Sequence, residues 1–527
     1  MTLAPETPLP DPLAASAAAP APGPAPAAAP DPVSATDWIA KAAALTPPTG
    51  LFIDGEAREA FAGTTREVRS PRDGALITHF PWAAAEDADA AVTSARRAFD
   101  EGPWPRMHPR ERGEILHRFA DLVDSRRADI ALLVTLEMGK PIRPAYEIEL
   151  RALIRCLRYY AELADKDQGE IPPTSEGELA LVTHEPAGVV AAVVPWNFPL
   201  TIGGWKIAPA LAAGCTVVVK TAERSPLSMQ YVAALGAAAG LPPGVLNVLS
   251  GDGDVVGRRL GEHPDVDVLT FTGSTAVGRH FLRYAADSNL KRVYLELGGK
   301  SPNIILPDAP NLDEAADTAA WAIFFNSGEM CTAGSRLVVH EAVADRVLER
   351  IVETAATWYP ADPLLPTTRM GPLVDQAHLS RVRAILAQGI KQGARLLTGG
   401  APAHLETGGS YLEPTVLTDA ARDNVVVREE IFGPVLTVQT VRDEDEAIAV
   451  AADTPYGLAA AVWTADLATA HRVARRLRAG TVWVNCYEEG DMNAPFGGVK
   501  LSGFGRDKSR HALNEYRDLK TTWIRYA

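Results

Sequence analysis

GVVAAVVPW (188–196), CTVVVK (215–220), VLNVLS (245–250), DVLTFTG (267–273) and RVYLELGG (292–299) are short apolar runs separated by stretches with helical spacing. A strand with one wet face alternates apolar and polar residues. These runs do not alternate, so they predict a parallel sheet covered by helices on both faces. In such doubly wound α/β folds, ligands bind beyond the carboxyl ends of the strands. Upstream, LFIDGE (51–56) reads as strand and turn, and helical patterns cover 37–45, 84–99 and 110–163. Downstream, a second αβ set runs from 301 to 485. Two α/β domains are expected.

The length of 527 residues agrees, since single cores rarely grow so large. A net charge of -15 argues against nucleic acid or an anionic membrane surface as partner. No apolar run is long enough to span a bilayer. Cys156, Cys215, Cys331 and Cys486 form no CxxC pair and no zinc-type cluster with histidine, so no metal is expected. That usage suits a reducing compartment, and a cytoplasmic location is expected. Residues 1–33 are dominated by Ala and Pro and are expected to form a disordered arm. The arm lacks the basic start and apolar core of a secretory signal, and the first arginine is Arg58.

Two glycine patterns invite a nucleotide reading. Gly251, Gly253 and Gly257 follow a strand, but Gly-Asp-Gly is equally a turn before a helix. In FTGSTAVG (271–278), Gly273 and Gly278 bracket a strand-to-helix turn whose N–H groups, with the Ser274 hydroxyl, suit a pyrophosphate. An N-cap with close packing explains the same residues. The stronger signal is an ordered set: PWNFP (195–199), KTAE (220–223), FTGS (271–274), LELGGKSP (295–302), NSGEMCTAGSR (326–336), EEIFGPV (429–435) and PFGGVKLSGFGR (495–506). With these seven segments the chain resembles the aldehyde dehydrogenase superfamily from about residue 49 to its end.

Oxidising an aldehyde to an acid needs a thiol, an oxyanion hole, a general base and a hydride acceptor. A thiolate adds to the carbonyl, the tetrahedral adduct loses hydride, and water hydrolyses the thioester. The resemblance implies that Cys331 is the nucleophile, Asn197 the oxyanion donor and Glu296 the base that activates water. It implies NAD as cofactor in a Rossmann-type domain. Lys220 and Glu223 would sit at the adenosine ribose, Gly273, Ser274, Gly278 and Trp196 near the pyrophosphate, and Glu430 and Phe432 at the nicotinamide ribose and ring. The Glu223 carboxylate would repel a 2′-phosphate, favouring NAD over NADP. Thr221 stands where many members carry proline. Relatives that pass the acyl group to coenzyme A generally lack the base, so Glu296 implies hydrolysis.

Glu488, Glu489 and Asp491 fall in a loop that lines the substrate mouth in this family. There they either attract a cationic aldehyde or merely face solvent. Phe198, Trp205, Phe325 and Trp463 are candidate tunnel walls or ordinary core. GEMCTAGSR with GDM, GRDKS and LKTTWI looks most like the branch that oxidises γ-glutamyl-γ-aminobutyraldehyde, 4-guanidinobutyraldehyde and related ω-aminoaldehydes. A broad aliphatic or aromatic aldehyde dehydrogenase is the alternative. A catalytically silent protein on the same fold is a further one, against which the intact Cys331, Glu296, Asn197, Lys220 and Glu223 argue. The expected division is 49–167 with 187–297 for the NAD-binding domain and 298–497 for the catalytic domain. Segments 168–186 and 498–527 would form a β ribbon that builds a homodimer or homotetramer.

Overall fold

The computed structural model describes residues 31–527. The Ala/Pro arm expected over 1–33 therefore lies outside the described residues, apart from 31–33. There Asp31 caps a one-turn helix, Pro32–Ala35, within a unit that ends at Thr36. The second unit, Asp37–Ala527, carries every strand of the molecule described below.

Strands are numbered in chain order. The first sheet contains β1 (Leu51–Ile53), β2 (Glu56–Arg58), β6 (Val189–Val193), β7 (Thr216–Lys220), β8 (Leu246–Leu249), β9 (Val268–Gly273), β10 (Arg292–Leu297) and β20 (Gly503–Phe504), in the order β2-β1-β8-β7-β6-β9-β10-β20. All five predicted runs are present as the central parallel strands, from β8 to β10. Every residue of β6, β7 and β8 is buried, which is why none of them alternates. The order reverses between β6 and β9, so a crevice opens beyond Val193 and Gly273.

The second sheet runs β13 (Arg395–Thr398), β16 (Thr415–Thr418), β17 (Val435–Val441), β12 (Arg336–His340), β11 (Pro302–Ile305), β18 (Ala459–Trp463) and β19 (Thr481–Val484). It is parallel except for β13. Helices Leu312–Phe324 and Glu341–Ala356 cover one face, with Trp358 and Trp463 in that core. Two small hairpins, β3 (Thr65–Arg69) with β4 (Leu76–Pro81) and β14 (Pro402–Ala403) with β15 (Tyr411–Leu412), stand apart. So does the long ribbon of β5 (Glu178–Pro186) and β21 (Arg517–Arg525).

Two expectations need correction. The pattern over 110–163 is not one helix but three main ones, Pro109–Ser125, Arg127–Met138 and Leu150–Leu163. Gly139, at φ 84, ends the second in a left-handed cap, and Pro141 comes two residues later. The tail 498–527 does not belong wholly to a ribbon, because β20 pairs antiparallel with β10 (Glu296↔Gly503) and closes the first sheet.

The PFGG loop is pressed between the sheets. A Cβ on Gly480, just before β19, would lie 1.6 Å from the Gly497 carbonyl oxygen. One on Gly497 would lie 2.5 Å from Glu296 Oε1. Gly480→Ala should therefore cost about 1–3 kcal/mol by overpacking. It would be read as a lowered thermal midpoint, and an unchanged midpoint would refute the close crossing.

Candidate active site

The loop after β6 carries Trp196 and Asn197 into the crevice, and Pro199 opens the next helix, Pro199–Ala213. Asn197 is buried, and its amide Nδ2 donates to the Glu329 carbonyl at 2.9 Å. Asn326 Nδ2 donates to the same carbonyl at 3.0 Å. Asn326 and Ser327 have φ of 50 and 57, a left-handed turn that swings the chain from helix Leu312–Phe324 into Cys331. Asn197 and the loop that carries Cys331 are thus locked together.

Glu296 ends β10 almost fully buried, and neither of its carboxylate oxygens has a hydrogen-bond partner. Burial, then the Asp507 charge, pushes its carboxyl well above the usual range, while Lys206 opposes the shift. Lys206 Nζ and Asp507 Oδ2 pair at 2.7 Å, both almost without exposure. Glu515, which accepts the Arg506 N–H, is pushed up to about 8, chiefly by burial. A carboxyl so placed holds its proton near neutrality and can exchange it with water.

Asn197, Glu296 and Cys331 line one cavity of about 370 Å³ with Trp196, Gly273, Ser274, Glu430 and Phe432. Ser274 also caps helix Thr275–Ala286, accepting from Val277 N at 3.3 Å. Glu430 accepts the Gly299 N–H at 3.0 Å, and burial raises its carboxyl to about 7. Phe432, at φ 60, sets its ring against Trp196 with centroids 5.4 Å apart.

Other sequence candidates lie outside that cavity. Gly278 packs under β10, where a Cβ would meet Leu297 Cδ2 at 2.8 Å, so the close-packing reading accounts for it. Lys220 is buried at the end of β7, and its Nζ donates to Thr221 O at 2.8 Å and Glu223 Oε1 at 3.1 Å. Gly253–Gly257 forms a π-helical segment that runs straight into helix Arg258–Glu262, so the helix starts at Gly253 rather than after a Gly-Asp-Gly turn. It also walls this corner: a Cβ on Gly253 would be 3.5 Å from Glu223 Oε1, and one on Gly257 would be 3.6 Å from Lys220 Cδ.

A second cavity, about 1040 Å³, opens on the other side of Cys331. Phe198, Trp205, Phe325, Trp463, Glu488 and Glu489 line it, whereas Asp491 does not. Asp491 Oδ1 instead accepts from Asn493 N at 3.0 Å and Nδ2 at 2.9 Å. Trp463 is mostly core, its indole donating to Asn303 at 3.1 Å. Glu488, at φ 60, turns in toward Cys331, with Oε1 buried and unpartnered. Burial raises its carboxyl, against the Thr332 hydroxyl and Lys508.

Several contributors were not found from sequence. His378 and Arg381 line the first cavity from helix Gln376–Lys391. His378 Nε2 donates to the Phe432 carbonyl at 2.6 Å, and burial lowers its imidazole to about 4, so it is neutral in ordinary buffers. Arg381 donates to Ile431 O at 3.0 Å and Glu430 O at 3.2 Å, bracing the EEIFG loop. Arg224 pairs with Asp375 at 2.7 Å and faces the Trp196 ring. Asp507 lay within the quoted GRDKS stretch, but nothing local linked it to Lys206, 301 positions away.

Comparison with known proteins agrees with this geometry. Residues 58–522 match the aldehyde dehydrogenase family. The NADP/NAD-dependent aldehyde dehydrogenase PuuC of Escherichia coli (strain K12) is 46% identical over 92% of this chain and 98% of its own. A γ-glutamyl-γ-aminobutyraldehyde dehydrogenase structure from Burkholderia cenocepacia J2315 superposes with TM-score 0.92 at 52% identity, covering 93% of this chain and 99% of that one. An indole-3-acetaldehyde dehydrogenase solved with NAD+ gives TM-score 0.92 at 50% identity, over 93% and 99%. The chain belongs to the aldehyde dehydrogenase family. Its activity is the oxidation of an aldehyde.

The Cys331 thiol is pushed far up by burial, then by the Glu488, Glu430 and Glu296 charges. Raising the pH should therefore raise its alkylation by iodoacetamide about tenfold per unit between pH 7 and 9 in the cofactor-free protein, followed by peptide mass spectrometry. A plateau near neutrality would refute this electrostatic picture.

Proposed function

We propose that the chain oxidises ω-amino or guanidino aldehydes to acids with NAD, through a thioester on Cys331. The observation that carries the mechanism is that the two cavities meet at this thiol. Cys331 adds as thiolate to the aldehyde carbon from the larger cavity. Asn197 Nδ2, with the Cys331 N–H, stabilises the oxyanion of the tetrahedral adduct. Glu296, in its carboxylate form, takes a proton from water as that water attacks the thioester, and the acid leaves with the Cys331 sulfur released as thiolate. Of the Lys206–Asp507 pair, Asp507 disfavours that carboxylate and Lys206 favours it, so the pair sets how readily Glu296 ionises.

The smaller cavity suits a dinucleotide: it lies at the strand-order reversal, beside a helix N-terminus, with aromatic walls and Glu430. Bound NAD would supply the acceptor for the hydride that the adduct expels. Gly273, Ser274 and Trp196 would hold the pyrophosphate, and Glu430 and Phe432, braced by His378 and Arg381, the nicotinamide riboside. Lys220 and Glu223 would take the adenosine ribose, and the Glu223 carboxylate supports NAD over NADP.

Glu488 and Glu489 in the aldehyde cavity support a cationic substrate tail, as does the likeness to the Burkholderia enzyme. Leu519, Trp523 and Tyr526 are 70%, 59% and 68% exposed on the β5–β21 ribbon, which supports a homodimer or homotetramer built on it. We further propose a domain division close to the two sheets and a cytoplasmic location, the latter supported by the absence of disulfides among the described residues.

Cys331→Ala should abolish NADH formation while leaving the thermal midpoint unchanged; residual turnover near wild type would remove the nucleophile. Glu296→Gln should give a single burst of NADH and then stall, and undiminished steady turnover would remove the base. For the substrate, kcat/KM with 4-guanidinobutyraldehyde and 4-aminobutyraldehyde should exceed that with butyraldehyde at least tenfold. Glu488→Gln should erase most of that ratio. Equal use of butyraldehyde by the native protein would make it a broad aliphatic dehydrogenase.

A further inference from the structure

A third cavity, about 270 Å³, lies against the start of β11 and β18. Lys300, Arg476, Arg478 and Lys500 line it, and among the described residues no acidic side chain does. Cys331 and Glu296 are not in its walls, and only Leu458 is shared with the smaller cavity at the thiol. This space is therefore separate from the aldehyde and dinucleotide sites.

Lys300 is 1% exposed, and its Nζ has no hydrogen-bond partner. A buried ammonium in that state is costly, and an apolar side chain of similar size would fill the room without the penalty. Burial, then the nearby Arg336, lowers Lys300 to about 7, against the pull of Glu430 and Glu429. Burial with Arg478 and Arg336 lowers Lys500 too. Lys500 Nζ has one carbonyl partner, Thr454 O at 2.5 Å, and Arg476 is paired with Asp445 at 2.6 Å. Four basic side chains thus line one cavity, Arg476 with its charge already paired and Lys300, the most buried, without a partner.

We infer that this cavity binds a small oxyanion of charge two or more, of the phosphate class, with Lys300 as its innermost contact. Such an ion supplies the acceptors that Lys300 lacks and favours its protonated form, and Lys300, Arg478 and Lys500 together match a multivalent charge better than a single carboxylate. The alternative, that Lys300 serves only Glu430 from behind, gives no role to Arg478 or Lys500.

The test is equilibrium dialysis of inorganic phosphate against the purified full-length protein, at ionic strength fixed with chloride, with and without saturating NAD. One phosphate per chain should bind in both cases. Arg478→Gln, which touches neither the thiol nor the dinucleotide cavity, should weaken binding at least tenfold while leaving aldehyde oxidation unchanged. Lys300→Met should abolish it. Absence of binding, binding that NAD displaces, or binding unaltered by Arg478→Gln would overturn the site. Equally tight binding of acetate would overturn the multivalent assignment. Because the NAD-free arm reads phosphate alone, failure of the proposed cofactor chemistry would not mimic any of these results.

Discussion

At the carboxyl ends of β6, β9 and β10 the chain excludes water from groups that water would otherwise keep charged. Glu296 lies there with both oxygens unpartnered, Glu430 has the Gly299 N–H, and Cys331 faces three carboxylates. Each is driven toward its neutral form by burial, as is His378. The resting site therefore stores little net charge, and its fixed dipoles are aimed at charge that develops only during reaction. The Asn197–Glu329–Asn326 bonding and the glycine crossings hold that arrangement in place.

The two sides of the thiol are built differently. In the smaller cavity, the walls come from strand ends and helix starts, and the bracing residues are neutral or paired. In the larger cavity, the walls are aromatic rings on loops and helices, such as Phe198 and Phe325 with centroids 6.5 Å apart. A cofactor common to many enzymes needs the first kind of wall. A substrate that varies between enzymes is accommodated by the second, where side chains change without moving a strand.

The sequence revealed what depends on local pattern. Unbroken Val runs became the central strands of the first sheet, whereas the turn expected at Gly251–Gly257 is a π-helical entry to the next helix. Helix continuity failed at Gly139, where a left-handed cap outweighed the surrounding periodicity. The seven ordered segments identified the groups that meet around Cys331 but not those that support them. Lys206 and Asp507, or His378 and the Phe432 carbonyl, meet only through tertiary folding, and neither pair leaves a local signature. The acidic loop looked uniform in sequence, yet a positive φ at Glu488 turns that side chain inward while Asp491 bonds to its own loop. Backbone handedness, not charge count, separates them.

The short strand β20 has a bearing on biosynthesis. Gly503 and Phe504 add the last strand to a sheet whose first residues lie at Leu51, and Asp507 comes three residues later to meet Lys206. The surroundings that shift the Glu296 carboxyl are therefore incomplete until residues 503–507 have been made. A polypeptide lacking residues 503–507 would hold Cys331 beside a Glu296 whose electrostatic surroundings are unfinished, so the cavity at the thiol is assembled from segments more than 300 residues apart.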